Sequence, residues 1–241
     1  MRRTIVLFIT VASIISCTTL KVNTQPSLTG SWHNQSGNIK EVMVFQDAYF
    51  SYTKYDQANK LFIETKGGSY HHDNNSNTLH LTVEFNTTDK ENVGKMETYE
   101  ARVSNNQLTT NVAGNSTLYN RLDDGSGALA GTWHFTGRMN NGNIQRTTPG
   151  ARKTVKILSG TRFQWMAINT ETKEFFGTGG GTYTFNNGVY SENIEFFSRD
   201  SSRVGASLQF EGSVANHVWT HKGNNSRGEP LHEEWTRVGK Y

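Results

Sequence analysis

The chain has one cysteine, Cys17, in 241 residues. No internal disulfide can therefore form, and the body beyond Cys17 holds neither a thiol nucleophile nor a cysteine-based metal site. Charge of one sign is also scarce. The formal net charge is +3, and Arg2 and Arg3 stand in the leader described below, so the body is close to neutral. A pI of about 8.9 then does not mark a nucleic-acid binder or a protein drawn to anionic membranes. No stretch sustains an apolar stripe of helical period, which argues against a helical fold. The motifs Gly-x-Ser-x-Gly and His-Glu-x-x-His do not occur, so the sequence signs of an acyl hydrolase or a zinc protease are missing.

What is present begins at the N-terminus. MRRTIVLFITVASIISC combines two arginines after Met1, an apolar run from Ile5 to Ile15 and small residues before the cysteine. That is the layout of an export signal, too short for a membrane span. Ile14-Ile15-Ser16-Cys17 resembles a lipobox, which implies a lipoprotein-type signal peptide over residues 1–17, lipidation of Cys17 and a membrane partner through that anchor. Residues 18–27 then read as a polar tether. The expected location is the bacterial cell envelope, at the outer membrane or the periplasmic face, with secretion as the alternative.

The body is written twice. Gly30-Ser31-Trp32-His33 returns as Gly131-Thr132-Trp133-His134. From Val42 to Tyr70 and from Val155 to Tyr183 the halves align without a gap at an offset of 113 residues. The offset becomes 111 where Val83-Glu84-Phe85 meets Ile194-Glu195-Phe196. Tyr119-Asn120-Arg121 then matches Trp235-Thr236-Arg237. Two copies of one domain follow, at 28–122 and 129–241, with 123–128 as a flexible, polar linker.

Each copy reads as all-β. Short runs of period two, such as Thr78 to Phe85 and Glu192 to Phe196, are rich in aromatic and β-branched residues. Turn signals such as Asn186-Asn187-Gly188 separate them. About eight strands per copy with short connections predict an up-and-down antiparallel barrel, closed on itself so that no edge is exposed. The fold class expected is two tandem eight-stranded barrels.

A Gly-x-Trp on the first strand with an arginine on the last resembles the lipocalin and calycin pattern, in which the arginine packs across the tryptophan at the closed end. The pairs are Trp32 with Arg121 and Trp133 with Arg237. The second copy, from GTWHFTG to EEWTR, is similar to a bacterial lipocalin-like envelope domain family of largely undescribed function, and the first resembles it more loosely. The resemblance implies a barrel able to hold a small molecule; it supplies no catalytic residue. LTGSWHNQSGN is also similar to the opening of avidins, but the first copy lacks the further tryptophans that wall a biotin site.

Other constellations carry less. His217 and His221 lie about 13 Å apart along a strand, too far for one ion. His33 and His134 follow inward tryptophans and are expected to face outward into solvent. Gly177-Thr178-Gly179-Gly180-Gly181 precedes a strand rather than a helix, so it predicts a bulge or bend instead of a phosphate loop. Glu192 and Glu195, like Glu233 and Glu234, point to opposite faces as pairs. No catalytic residue, metal or cofactor is expected, and the protein is taken as a binder rather than an enzyme.

The candidate site is the interior of the second barrel, with Phe163, Trp165, Tyr183, Phe196, Phe210 and Trp219, although the same set would also make a plain core. The second copy carries twelve extra residues between its first two strands. Gly137 to Lys153 contains Arg138, Arg146, Arg152 and Lys153 and no acidic residue. As a cationic lid it predicts a small amphipathic partner with an anionic head near Arg138 or Arg152. The alternative is a pair of solid barrels that meet another envelope protein or a glycan. No protein partner can be named from the sequence.

Overall fold

The computed structural model describes residues 27–239; the expected signal peptide, Cys17 and all but the last residue of the expected tether at 18–27 lie outside them. In the first copy, alternating apolar and polar residues form β1 (Gly30–Ser36), β2 (Ile39–Gln46), β3 (Tyr49–Asp56) and β4 (Leu61–Asp73), followed by β5 (Thr78–Asn86), β6 (Met96–Ser104), β7 (Gln107–Thr110) and β8 (Thr117–Asp123). Each pairs antiparallel with the next and β8 returns to β1, closing an eight-stranded barrel. The second copy gives β9 (Gly131–Asn140), β10 (Asn143–Arg146), β11 (Arg152–Leu158), β12 (Arg162–Asn169) and β13 (Glu174–Asn186), then β14 (Val189–Phe197), β15 (Ser207–Ala215), β16 (Val218–Asn224) and β17 (Pro230–Arg237). Here β9 pairs with both β11 and β17, so eight strands close again, with β10 as an additional arm on β9.

The repeat is exact down to small features. A single 3-10 turn, Lys90–Asn92 or Ser201–Arg203, links the fifth and sixth strands of each barrel, and Asp89 or Asp200 caps it. The glycine runs form bulges between Gly67 and Gly68 and between Gly180 and Gly181, as expected from the absence of a following helix. Two-residue hairpins place both residues in the left-handed region at Asn187-Gly188 and Asn216-His217, which gives the tight turns a twist that matches the strands.

The doubled Gly-x-Trp closes one end of each barrel. Trp32 and Trp133 are fully buried, and their Nε1 groups donate to the Leu28 and Leu129 carbonyls at 2.8 and 2.9 Å. The Arg121 guanidinium lies 3.8 Å from the Trp32 ring centre and that of Arg237 4.9 Å from Trp133. A Cβ at Gly131 would stand 2.7 Å from Arg237 Cζ, so the glycine makes room for the guanidinium.

The barrels are not beads on a string. Val42, Val44, Tyr49, Tyr55 and Phe85 of the first form one buried cluster with Val155, Ile157, Met166, Ile168 and Phe196 of the second. Polar groups inside this seam are satisfied across it. Thr53 donates to Gln164 Oε1 at 2.8 Å, and Gln164 Nε2 donates to Thr65 at 3.0 Å. Arg162 reaches Glu195 at 2.7 Å and the Tyr55 hydroxyl at 2.8 Å. The segment expected to be a flexible linker is fixed at its start. Asp123 ends β8, and its carboxylate accepts from Ser31, Ser159 and Thr161 side chains and from the Gly160 and Thr161 amides. Burial alone would raise the Asp123 carboxyl, but those hydrogen bonds hold it below the usual range. His134, expected in solvent, does face out of its barrel, yet there it is buried beside Lys153 and Glu84, which belong to opposite sides of the seam.

Candidate ligand-binding site in the second barrel

Above the tryptophan plug the two interiors differ in kind. In the second barrel a lower layer of Trp133, Phe163, Tyr190 and Trp219 is packed solid, with Tyr183 beside it. The next residues toward the open end are ionic. Lys156 Nζ meets Glu192 Oε1 at 2.9 Å, with both side chains less than a tenth exposed. Glu192 also accepts from the Tyr190 hydroxyl at 2.7 Å. The Lys156 ammonium sits 4.9 Å from the Trp235 ring centre and 5.1 Å from Trp219, so aromatic faces cover what the carboxylate does not.

A second carboxylate enters from β17. Glu233 contacts His221 Nε2 and accepts from Trp235 Nε1, each at 3.2 Å, and pairs with Arg138. Burial opposes its charged form, but the bonds to His221 and Arg138 and the nearby Lys156 bring its pKa to about 2. It is therefore ionised near neutral pH and has no proton to give. Burial lowers the pKa of His221, so the ring is neutral. Its Nε2–H donates to Glu233, and Nδ1 is left with a lone pair; no group among the described residues bonds that atom.

Over this ionic layer lies a cavity of about 320 Å³, half open, walled by Trp165, Phe197, Leu208, Phe210, Leu231 and Trp235. The matching place in the first barrel is furnished differently. Its mouth is occupied by side chains bonded to one another. Tyr119 donates to Glu41 at 2.6 Å, Lys66 donates to the Tyr99 hydroxyl at 2.7 Å, and Tyr52 lies 3.4 Å from Glu64. The positions of Glu41, Glu64, Lys66 and Glu97 are taken in the second barrel by Thr154, Gly177, Gly179 and Leu208. Below them, Met43, Leu81 and Thr110 stand where Lys156, Glu192 and His221 stand, and matching registers confirm the equivalence: Trp32–Met43–Tyr52 against Trp133–Lys156–Trp165. Loss of long side chains opens the space, and exchange of apolar for ionic groups makes its floor polar.

Of the residues singled out in the sequence, Trp165, Phe210 and Arg138 line this cavity. Phe163, Tyr183 and Trp219 lie beneath it in the solid layer; Tyr183 donates its hydroxyl to the Ser159 carbonyl at 2.5 Å. Phe196 points the other way, into the seam, 4.9 Å from the Tyr55 ring. Its bulged strand turns alternate residues out of the barrel, leaving Phe197 as the one that walls the cavity. Arg152 stacks 4.8 Å from Phe176 and is not among the lining residues.

The insertion does not fold over as a lid. Its first half prolongs β9, and β10 doubles back to pair Arg146 with Gly137, taking the place of β11 beside the outer half of β9. Its cations are engaged. Arg138 pairs with Glu233, Arg146 with Glu234 at 3.1 Å, and Lys153 with Glu84 of the first barrel at 2.9 Å.

The residues that the sequence analysis passed over are Lys156, Glu192, His221 and Glu233. Within its own strand each of Glu192 and Glu233 faces away from the neighbouring glutamate; the two converge because they come from different strands, β14 and β17. The signal was the repeat, in which three apolar or hydroxyl positions, one at offset 113 and two at offset 111, become ionic or imidazole. Among the described residues no group of three or more His, Cys, Asp or Glu is arranged to hold a metal ion. No protein-family model matches the chain, and no curated protein matches it in sequence.

Proposed function

We propose that this is a non-catalytic envelope lipoprotein of the lipocalin-like kind, anchored through Cys17, that holds one small apolar or amphipathic molecule in its second barrel while the first serves as a solid support. The observation that carries the binding function is the paired substitution: four long side chains that fill the mouth of the first barrel are replaced by Thr154, Gly177, Gly179 and Leu208, and a cavity stands there. An aromatic wall with a few converging polar groups is the usual make-up of a small-molecule site.

The neutral dye 1-aminoanthracene, whose emission rises in apolar surroundings, checks the site. It should brighten with the intact protein and fail to do so with Ala167→Phe, which fills the cavity from β12. No brightening with the unaltered protein would favour the second possibility, that both barrels serve as surfaces for a protein or glycan. The anchor has its own check. A clickable fatty acid should label the protein in cells and leave Cys17→Ser unlabelled.

A further inference from the structure

The charges around the cavity are balanced and already spent. Two cations, Lys156 and Arg138, face two carboxylates, Glu192 and Glu233, and each cation is bonded to one of them. The remaining ionisable ring, His221, is neutral because burial lowers its pKa. A ligand with a net charge would lose its hydration on entry and find no free counter-charge to replace it. That weighs against the anionic head inferred from the insertion's composition.

The cavity floor contains an unmet demand, besides the Trp219 Nε1 group that is buried without a partner in the solid layer beneath. His221 has only 2% of its side chain exposed, its Nε2 is committed to Glu233, and its Nδ1 has no partner among the described residues. The ring is held rigidly, stacked 4.8 Å from Phe210 at an interplanar angle of 16°. A fixed, buried lone pair is satisfied only by a donor brought from outside. The walls, with Trp165, Phe197, Phe210 and Trp235, favour flat rings over flexible chains, since aromatic faces stack at small entropic cost.

We infer that the ligand of the second barrel is an uncharged ring compound bearing an N–H or O–H donor, seated among the aromatic walls with that donor on His221 Nδ1. This rests on the proposed binding function and narrows it to a chemical class.

Three naphthalenes of similar size test it by calorimetry on the intact protein near pH 7: 2-naphthol, neutral with a donor; 2-methoxynaphthalene, neutral without one; and 2-naphthoate, an anion. The expected result is that 2-naphthol binds about tenfold or more tightly than either of the others. His221→Phe keeps a ring in the stack and should make 2-naphthol and 2-methoxynaphthalene bind alike. If that variant does not fold, the imidazole nitrogen shifts of His221 in the unaltered protein give the same answer: 2-naphthol should move the Nδ1 resonance and 2-methoxynaphthalene should not. Equal binding of the two neutral compounds, or tighter binding of 2-naphthoate, overturns this inference while leaving a binding barrel in place. Failure of all three to bind overturns both.

Discussion

Two barrels with one backbone plan use their centres differently. One layer above the tryptophan plug, the first barrel has Met43 and Leu81 packed in a continuous apolar core, and the second has Lys156 and Glu192 bonded at 2.9 Å in the same places. The first arrangement shows that this fold closes well with hydrocarbon there. A buried ion pair is commonly no more stabilising than apolar residues of similar volume, because desolvation offsets the attraction. Its presence in only one copy is therefore not accounted for by stability, and it lies directly under the cavity for which binding is proposed.

The largest effect expected from breaking this contrast comes from half of it. Lys156→Met alone strands Glu192 in the interior and should cost about 3–5 kcal/mol in denaturant unfolding. Completing the exchange should reverse the loss. Lys156→Met with Glu192→Leu and Tyr190→Phe, which also removes the hydroxyl left without its acceptor, should regain the stability of the unaltered protein or exceed it by about 1–4 kcal/mol. A triple variant less stable than Lys156→Met would show that the ionic layer holds the barrel up.

The seam is next. Arg162→Leu removes the buried partner of Glu195 and Tyr55, and a loss of about 3 kcal/mol is expected. Because the seam core draws on both barrels, calorimetry should show one transition moving as a whole. Two transitions, with only one displaced, would mean that the barrels melt independently. A smaller change follows from Asp123→Asn, which replaces an ionised acceptor of six hydrogen bonds at the junction by a weaker one, at about 1–3 kcal/mol.

Acid should act most gently. Burial and the nearby Lys153 lower the pKa of His134 from 6.5 to about 4. The folded state thus favours the neutral ring, so the contribution to stability is fully present above pH 6.5 and is lost as pH falls toward 4. Glu233, lowered from 4.5 to about 2, adds a second loss below pH 4.5. Unfolding midpoints should decline across the upper window, and His134→Gln should flatten that decline.

Much of the fold was legible because barrels announce themselves through period-two alternation, asparagine-glycine turns and a closing tryptophan–arginine pair. The repeat fixed both barrel boundaries through Trp32, Arg121, Trp133 and Arg237. The seam was not legible. Val155, Ile157 and Ile168 look like any strand residues, and nothing local says that the outward face of one barrel is covered by the other. The linker misled for a related reason: Asp-Asp-Gly-Ser-Gly has the composition of a tether, while all but one of the donors that fix Asp123 come from Ser31 on β1 and from the turn at 159–161, far away in sequence. The site was half legible. The insertion drew attention to the second barrel, where the cavity stands, but rings alone do not separate plug from wall, and Phe163 and Trp219 fell on the solid side. The cations of the insertion had partners far along the chain, on β5 and β17, that composition could not reveal.

The central claim, that the second barrel is built to be occupied and the first to be full, is tested most directly by native mass spectrometry of the protein purified from its own cells. The prediction is one small molecule per chain, retained by the unaltered protein and by variants in the first barrel such as Met43→Leu, and absent from Ala167→Phe. A chain mass with nothing bound in every preparation, or an adduct that survives Ala167→Phe unchanged, would contradict it.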